Sequence, residues 1–282
     1  MNLKGLTTSI IGLTLTLTLG WGCSADQPTP RVAFDQEYQQ FERLLGGHVD
    51  KAGLVDYEGL RQDSLLLDSV VEAFAMVPAA TLQTFSQDEQ LAFWINAYNA
   101  LTLSTVAQSY PIQSIRDLPG DLTQERYPIG GQNLTLADIE QKILRGEFKE
   151  PRVNFAVASA TRSGPALSRH AYRATNLEEQ LESAAFRFLV DTTRNRFIPA
   201  MKRMELSELF NACGSDFVKP YWSHYPADQD ELNRAVLNFI SQRLPRSLTG
   251  PLREEGWTIT YRPVDWTLND QGRTRASTAM TE

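Results

Sequence analysis

Ser86-Gln87-Asp88-Glu89-Gln90-Leu91-Ala92-Phe93-Trp94-Ile95-Asn96-Ala97-Tyr98-Asn99-Ala100-Leu101-Thr102-Leu103 is the stretch on which the fold turns. Its first four residues have the form of a capping box. In that motif a serine hydroxyl and a glutamate carboxylate each satisfy an amide left without a partner in the first helical turn. From Leu91 to Leu103 no residue carries a formal charge. A helix that is apolar around most of its circumference is surrounded by protein, so the segment predicts a central buried helix, stopped at Tyr110-Pro111. Asn96 and Asn99 are its polar exceptions. Three residues apart, they are neighbours on one helical face, where an unsatisfied amide costs about 1–3 kcal/mol. Each therefore needs fixed partners. Either both tie the helix to adjacent loops, or one aims a donor into a pocket.

Upstream, the apolar positions Phe34, Tyr38, Phe41 and Leu45 recur at helical spacing, and so do those of residues 65–77. Residues 48–57 between them read as a turn and a short extended piece. Downstream, Thr135-Leu136-Ala137-Asp138 opens a second marked helix, expected to close at Arg145 with Gly146 in the left-handed position. Residues 153–160 are short, apolar and rich in β-forming side chains, and Ser163-Gly164-Pro165 follows them, so they read as a buried strand. Asn176 is expected to cap a helix with Leu181, Ala184, Ala185 and Phe188 on one face. Residues 196–199 and 257–261 read as strands, and 228–244 as a helix. From Asn269 the sequence is polar without apolar period and reads as a frayed tail. Helices first, then mixed helices and strands, predict an α+β fold. We expect one helix-rich domain over residues 32–270, with a small mixed or antiparallel sheet and a disordered tail over 271–282.

The 282 residues carry 27 Lys+Arg against 34 Asp+Glu, a formal charge of −7. The longest basic block is Lys202-Arg203, so neither a phosphate-tracking surface nor a nucleic-acid partner is expected. Two cysteines and three histidines, His48, His170 and His224, supply neither a disulfide framework nor a four-thiolate metal site. No cofactor or metal is expected.

Residues 1–22 hold one charge, Lys4, and an apolar, threonine-rich run. This is the pattern of a secretory signal peptide rather than of a spanning helix, which needs about 20 strongly apolar residues. Leu19-Gly20-Trp21-Gly22-Cys23 resembles a bacterial lipoprotein lipobox, which implies cleavage before Cys23 and a lipid on its thiol. Each buried methylene of such a lipid adds about 0.8 kcal/mol of membrane affinity. Residues 23–31 read as a polar tether. Ser24 resembles the outer-membrane sorting signal, so the expected location is the envelope, lipid-anchored in the outer membrane and facing the periplasm.

Several blocks together resemble the domain of unknown function 547 (DUF547) family. They are Val55-Asp56-Tyr57, the Phe93–Leu101 helix with Tyr110-Pro111 and Ser114-Ile115-Arg116, and Leu134-Thr135-Leu136-Ala137-Asp138-Ile139-Glu140 with Ile143-Leu144-Arg145. Pro151-Arg152-Val153, Asp216-Phe217 and Asp265-Trp266-Thr267-Leu268-Asn269 complete the set. The resemblance also implies where chemistry would sit. Family members usually carry histidine where this chain has Gln141 and Asn154, and a cysteine pair where it has Ser159 and Gly164. A thiolate beside an imidazole is a nucleophile pair, and the same groups bind metal. All four positions are altered here, so cysteine-dependent activity is not expected.

A serine hydroxyl needs an adjacent base to act at neutral pH. Such a site is written down from Ser159 or Ser163 with His170 and an acid, Ser163, His170 and Asp216 being one such triad, and Ser163-Gly164-Pro165 lacks the second glycine of a nucleophile elbow. For binding, the residues singled out are Trp94, Asn96, Tyr98, Asn99, Asn154, Ser159 and Asp265. Tyr221, Trp222, His224 and Tyr225, bracketed by Pro220 and Pro226, form either a contact platform for a peptide, glycan or protein or a rigid surface loop. Cys213 reads as a small buried apolar residue. The expected function is a non-catalytic, membrane-anchored envelope lipoprotein. The alternative is a hydrolase or acyl transferase with a rearranged serine site.

Overall fold

The computed structural model describes residues 30–119 and 124–272, with side chains from Tyr38 onward. The expected signal peptide, Cys23 and residues 273–282 lie outside the described residues. Among those described, no helix is long and apolar enough to cross a membrane.

The N-terminal region is helical: α1 (Pro30–His48), α2 (Tyr57–Gln62), α3 (Ser64–Ala75), α4 (Ala79–Leu82) and α5 (Gln87–Ser109). Both capping-box bonds of α5 are present, Ser86 N–H donating to Glu89 Oε2 at 2.7 Å and Glu89 N–H to Ser86 Oγ at 3.3 Å. Every residue from Leu91 to Ser104 is buried, so α5 is the central helix its sequence predicts. An aromatic line, Phe41 to Phe74 to Phe93 to Trp94, with centroids 5.1–6.0 Å apart in edge contacts, joins α1, α3 and α5. The hairpin β1 (Tyr127–Ile129) and β2 (Gln132–Leu134) folds over the start of α5. Its turn is Gly130-Gly131, both at positive φ, and a Cβ on Gly130 would meet the Trp94 ring at 2.9 Å. Only glycine suits that backbone and that approach.

Residues 135–147, expected to be an α-helix ended by Gly146, form instead a π-helix over Asp138–Glu147. Gly146 lies inside it and is not left-handed. The predicted strand at 153–160 is also absent. Pro151–Phe155 is a 3₁₀ turn, because its residues serve two cores: Val153 packs into the N-terminal one and Phe155 into a second. An alternating strand buries one face, whereas this short apolar run is buried on all sides, a case periodicity does not resolve.

The second core is C-terminal and aromatic. Phe155 meets Phe188, Phe210, Phe217 and Phe239 with centroids 5.1–6.1 Å apart. It is enclosed by α6 (Leu177–Val190), α7 (Glu208–Ala212), α8 (Gly214–Val218), α9 (Glu231–Ser241) and α10 (Arg246–Thr249). Asn176 stands at the N-cap of α6 but makes no side-chain cap. The strands β3 (Arg196–Ile198), β4 (Arg203–Ser207) and β5 (Thr258–Arg262) form one mixed sheet, β3 antiparallel and β5 parallel to β4. The fold is therefore a helix-rich α+β architecture with two small sheets, as its sequence predicts.

The stretch from Asn269, read as frayed, is held at its start. Residues 265–271 run as a strap that bridges to Ser114, Thr161 and Val55 in turn. Tyr57 donates to Asn269 Oδ1 at 2.7 Å, Tyr110 donates to Asp270 Oδ2 at 3.0 Å, and Gln271 donates to the carbonyls of His48 and Leu54. Polar residues without apolar period read as exposed, yet here their polarity satisfies buried backbone.

Candidate functional site at the seam between the two cores

Thr135 and Asp138 start the π-helix reciprocally, each backbone amide donating to the other's side chain. Ile139, Ile143 and Leu144 face the N-terminal core. At its far end the Phe148 amide donates to Ile143 O, five residues back. Such widened turns recur at functional sites. The other side of the π-helix carries Glu140, Gln141 and Arg145 and faces α8 across the seam.

Arg145 spans that seam. Its Nε and Nη2 donate to Asp216 Oδ2 and Oδ1 at 2.6 and 3.1 Å, a two-point fork that fixes distance and orientation together. Its Nη1 donates to Gln141 Oε1 at 2.7 Å. Asn154 Nδ2 reaches the same Asp216 Oδ2 at 2.9 Å and the Pro151 carbonyl at 3.0 Å. Beneath them, Tyr98 of α5 donates to Glu140 Oε2 at 3.3 Å, and Gln141 Nε2 lies 3.4 Å from Glu140 Oε1. One cation thus stands among two carboxyls, one of them answered by the fork and the other by a phenol and an amide.

Burial raises the Glu140 carboxyl above its ordinary range. The negative charge of Asp216 adds to that rise, while Arg145 and the Tyr98 hydrogen bond oppose it. Burial, with Glu140 beside it, also holds the Tyr98 hydroxyl well above a free phenol. Cys213, at the N-cap of α8, is pushed up to about 12 by burial, against the pull of Arg145. It is a thiol at neutral pH, and only the thiolate is a nucleophile. No group of three or more His, Cys, Asp or Glu side chains placed to hold a metal occurs among the described residues.

Of the residues singled out in the sequence, Tyr98, Asn154 and Asp216 meet here. The remainder lie in separate places. Asn96 is fully buried and pairs with one residue at both ends, donating to Tyr172 O and accepting from Tyr172 N, each at 2.8 Å. Asn99 donates to Ala156 O at 3.0 Å and accepts from Ala158 N at 2.9 Å. Both tie α5 to loops. Trp94 is buried under the Gly130 turn. Ser159 Oγ lies 2.9 Å from Thr161 Oγ1, and a Cβ on Gly164 would stand 2.6 Å from it, so positions 159 and 164 are neighbours in space.

Ser163, His170 and Asp216 each have a different partner. The Ser163 hydroxyl donates to Asp265 O and accepts from Asp265 N, linking Asp265 to the same corner. The His170 ring is exposed, with Nδ1 2.5 Å from Glu42 Oε1. Asp216 is held by Arg145 and Asn154. No hydrogen bond joins any two of the three. Trp222 and Tyr225 are 53% and 62% exposed on a loop fixed by Asn238 donating to Tyr221 O and Arg234 donating to Ser223 O.

Glu140 and Arg145 were visible in the sequence as part of the family blocks but were not singled out as site residues. The available signal was their place on an amphipathic helix, beside the apolar face of Ile139, Ile143 and Leu144.

Residues 82–189 match the model of a protein family described as protein of unknown function, DUF547. No curated protein and no solved structure matches the chain. The matched segment holds α5, the π-helix with Glu140, Gln141 and Arg145, and Asn154, while Asp216 and Cys213 come from outside it. The segment that builds the centre of the fold and the N-terminal side of the seam is the part of the chain that matches the DUF547 family model.

Proposed function

We propose that the protein is an exported envelope lipoprotein, anchored in the outer membrane through lipidated Cys23 and facing the periplasm, whose folded domain binds a partner rather than catalysing a reaction. The observation that carries the reading is saturation. Gln141, Asn154 and Ser159, at positions where the family resemblance implies histidine and cysteine, all engage in internal hydrogen bonds. His170, which would have to act as base for a serine, is occupied by Glu42 and bonded to no serine hydroxyl through its ring. Without a base within hydrogen-bond reach a serine site lacks its proton acceptor. The Trp222 and Tyr225 rings, on a backbone already fixed, support a contact surface for a peptide, glycan or protein, since a rigid loop loses little entropy on binding.

Two experiments test the reading. A Cys23→Ala variant is expected to leave the membrane fraction, and retention there would refute lipid anchoring. A serine-directed phosphonate is expected not to label the purified protein. Labelling that disappears in Ser163→Ala would replace the binding reading with the hydrolase or acyl-transferase alternative.

A further inference from the structure

We propose that Glu140, Arg145 and Asp216 form a proton-operated latch across the seam, closed when Glu140 is protonated and loosened when it ionises. The two cores are distinct clusters joined by α6 and the 151–155 turn, which contribute side chains to both, and polar links also cross the seam. Among those of the described residues are a first set, the Arg145 fork with its Asn154 support, a second, the buried Arg152, which binds Glu150 of its own turn and Glu178 and Glu182 of α6, and Arg194, which donates to the Gly164 carbonyl. The second set is built from a guanidinium surrounded by carboxylates and stays charged throughout the physiological range. The first contains a half-buried carboxyl with no cation of its own.

Every charged or titratable group packed around Glu140 bears on that carboxyl. The π-helix supplies Arg145, already committed to Asp216, whereas its Asp138 and Lys142 pair with each other at 2.6 Å. From α5 comes the Tyr98 hydroxyl, and from the start of α8 come Asp216 and Cys213. On the 151–155 turn, Arg152 faces its own glutamates and Asn154 is neutral. An ionised Glu140 therefore places a second negative charge beside Asp216 with one guanidinium between them. Opening the seam returns Glu140 to water and moves Asp216 away. Closure thus keeps the proton on Glu140 to higher pH than opening does, and proton uptake and closure favour one another. The latch holds most firmly in mild acid and loosens as pH rises through the range in which Glu140 ionises.

Cys213 sits at this joint, 4% exposed, and in the full chain carrying Cys23→Ser it is the sole thiol. A dipyridyl disulfide reports its exposure, with each rate divided by that of the urea-unfolded chain at the same pH, which removes the thiol's own titration. The normalised rate is expected to rise several-fold between about pH 5 and about pH 8. Glu140→Gln should stay slow at both, and Arg145→Met fast at both. A parent that shows no rise, or a Glu140→Gln variant that rises in parallel with it, overturns the proposal. If Arg145→Met lacks a cooperative thermal transition, amide exchange over α8 in the parent and in Glu140→Gln decides the matter by the same criterion.

Discussion

Asn96 and Asn99 in the middle of α5, and Gln141 and Asn154 at the seam, are four carboxamides with different tasks. The first two have their amides returned by neutral backbone: Asn96 exchanges both hydrogen bonds with Tyr172, and Asn99 bridges Ala156 and Ala158. Such an arrangement has one stable state and no dependence on protons. The second two take up positions beside charges, Gln141 accepting from Arg145 and Asn154 donating to Asp216. Their partners are an ion pair whose strength depends on Glu140. A carboxamide is therefore a fastener or part of a regulated joint according to what answers it, and residue type alone does not distinguish the two.

The largest expected effect lies on the fastener side. Asn96→Ala leaves the Tyr172 N–H and C=O unpaired in a closed interior, a loss of about 2–5 kcal/mol in denaturant unfolding that is independent of pH. A loss that varied with pH would erase the contrast. Arg145→Met comes next. It removes the fork and leaves Asp216 and Asn154 facing each other across the seam, a cost of about 2–3 kcal/mol at neutral pH.

Glu140→Gln sharpens the comparison by sign. A carboxyl whose folded value is raised imposes no penalty while protonated and an increasing one as pH rises, so this variant should have a higher Tm than the parent above neutrality. The advantage should vanish towards the unfolded carboxylate range in acid. A variant less stable than its parent at alkaline pH would count against the desolvation of Glu140. Smallest is Gln141→Ala, an exposed amide whose loss should stay within about 0.5 kcal/mol in thermal unfolding. A larger loss would make Gln141 a fastener as well.

The elements that were legible in the sequence were those whose signals are local. The Ser86 capping box, the uncharged run of α5, the helical period of α3 and the alternation at residues 257–261 each declare themselves within one element. Residues 153–160 were misread because Val153 and Phe155 serve different cores, a fact set by chain segments far away. The π-helix was read as α because its extra residue per turn changes hydrogen bonding more than it changes the apolar pattern. Of the site, Asn154 was singled out through the family resemblance and Asp216 as an acid for a serine set. That they share one hydrogen-bonding centre with Arg145 could not be seen, since residues 154 and 216 meet only through the packing of both cores. The aromatic loop was legible as a loop because prolines bracket it, but the exposure of its rings was not.

The strap at residues 265–271 sets a timetable. The corner made by Val55, Tyr57 and Tyr110 finds its hydrogen-bond partners in a segment 160 to 216 positions downstream, so that corner cannot close until the downstream segment is available. Contacts of such separation slow folding. Helices that form first must wait with one edge open until the last part of the chain joins them.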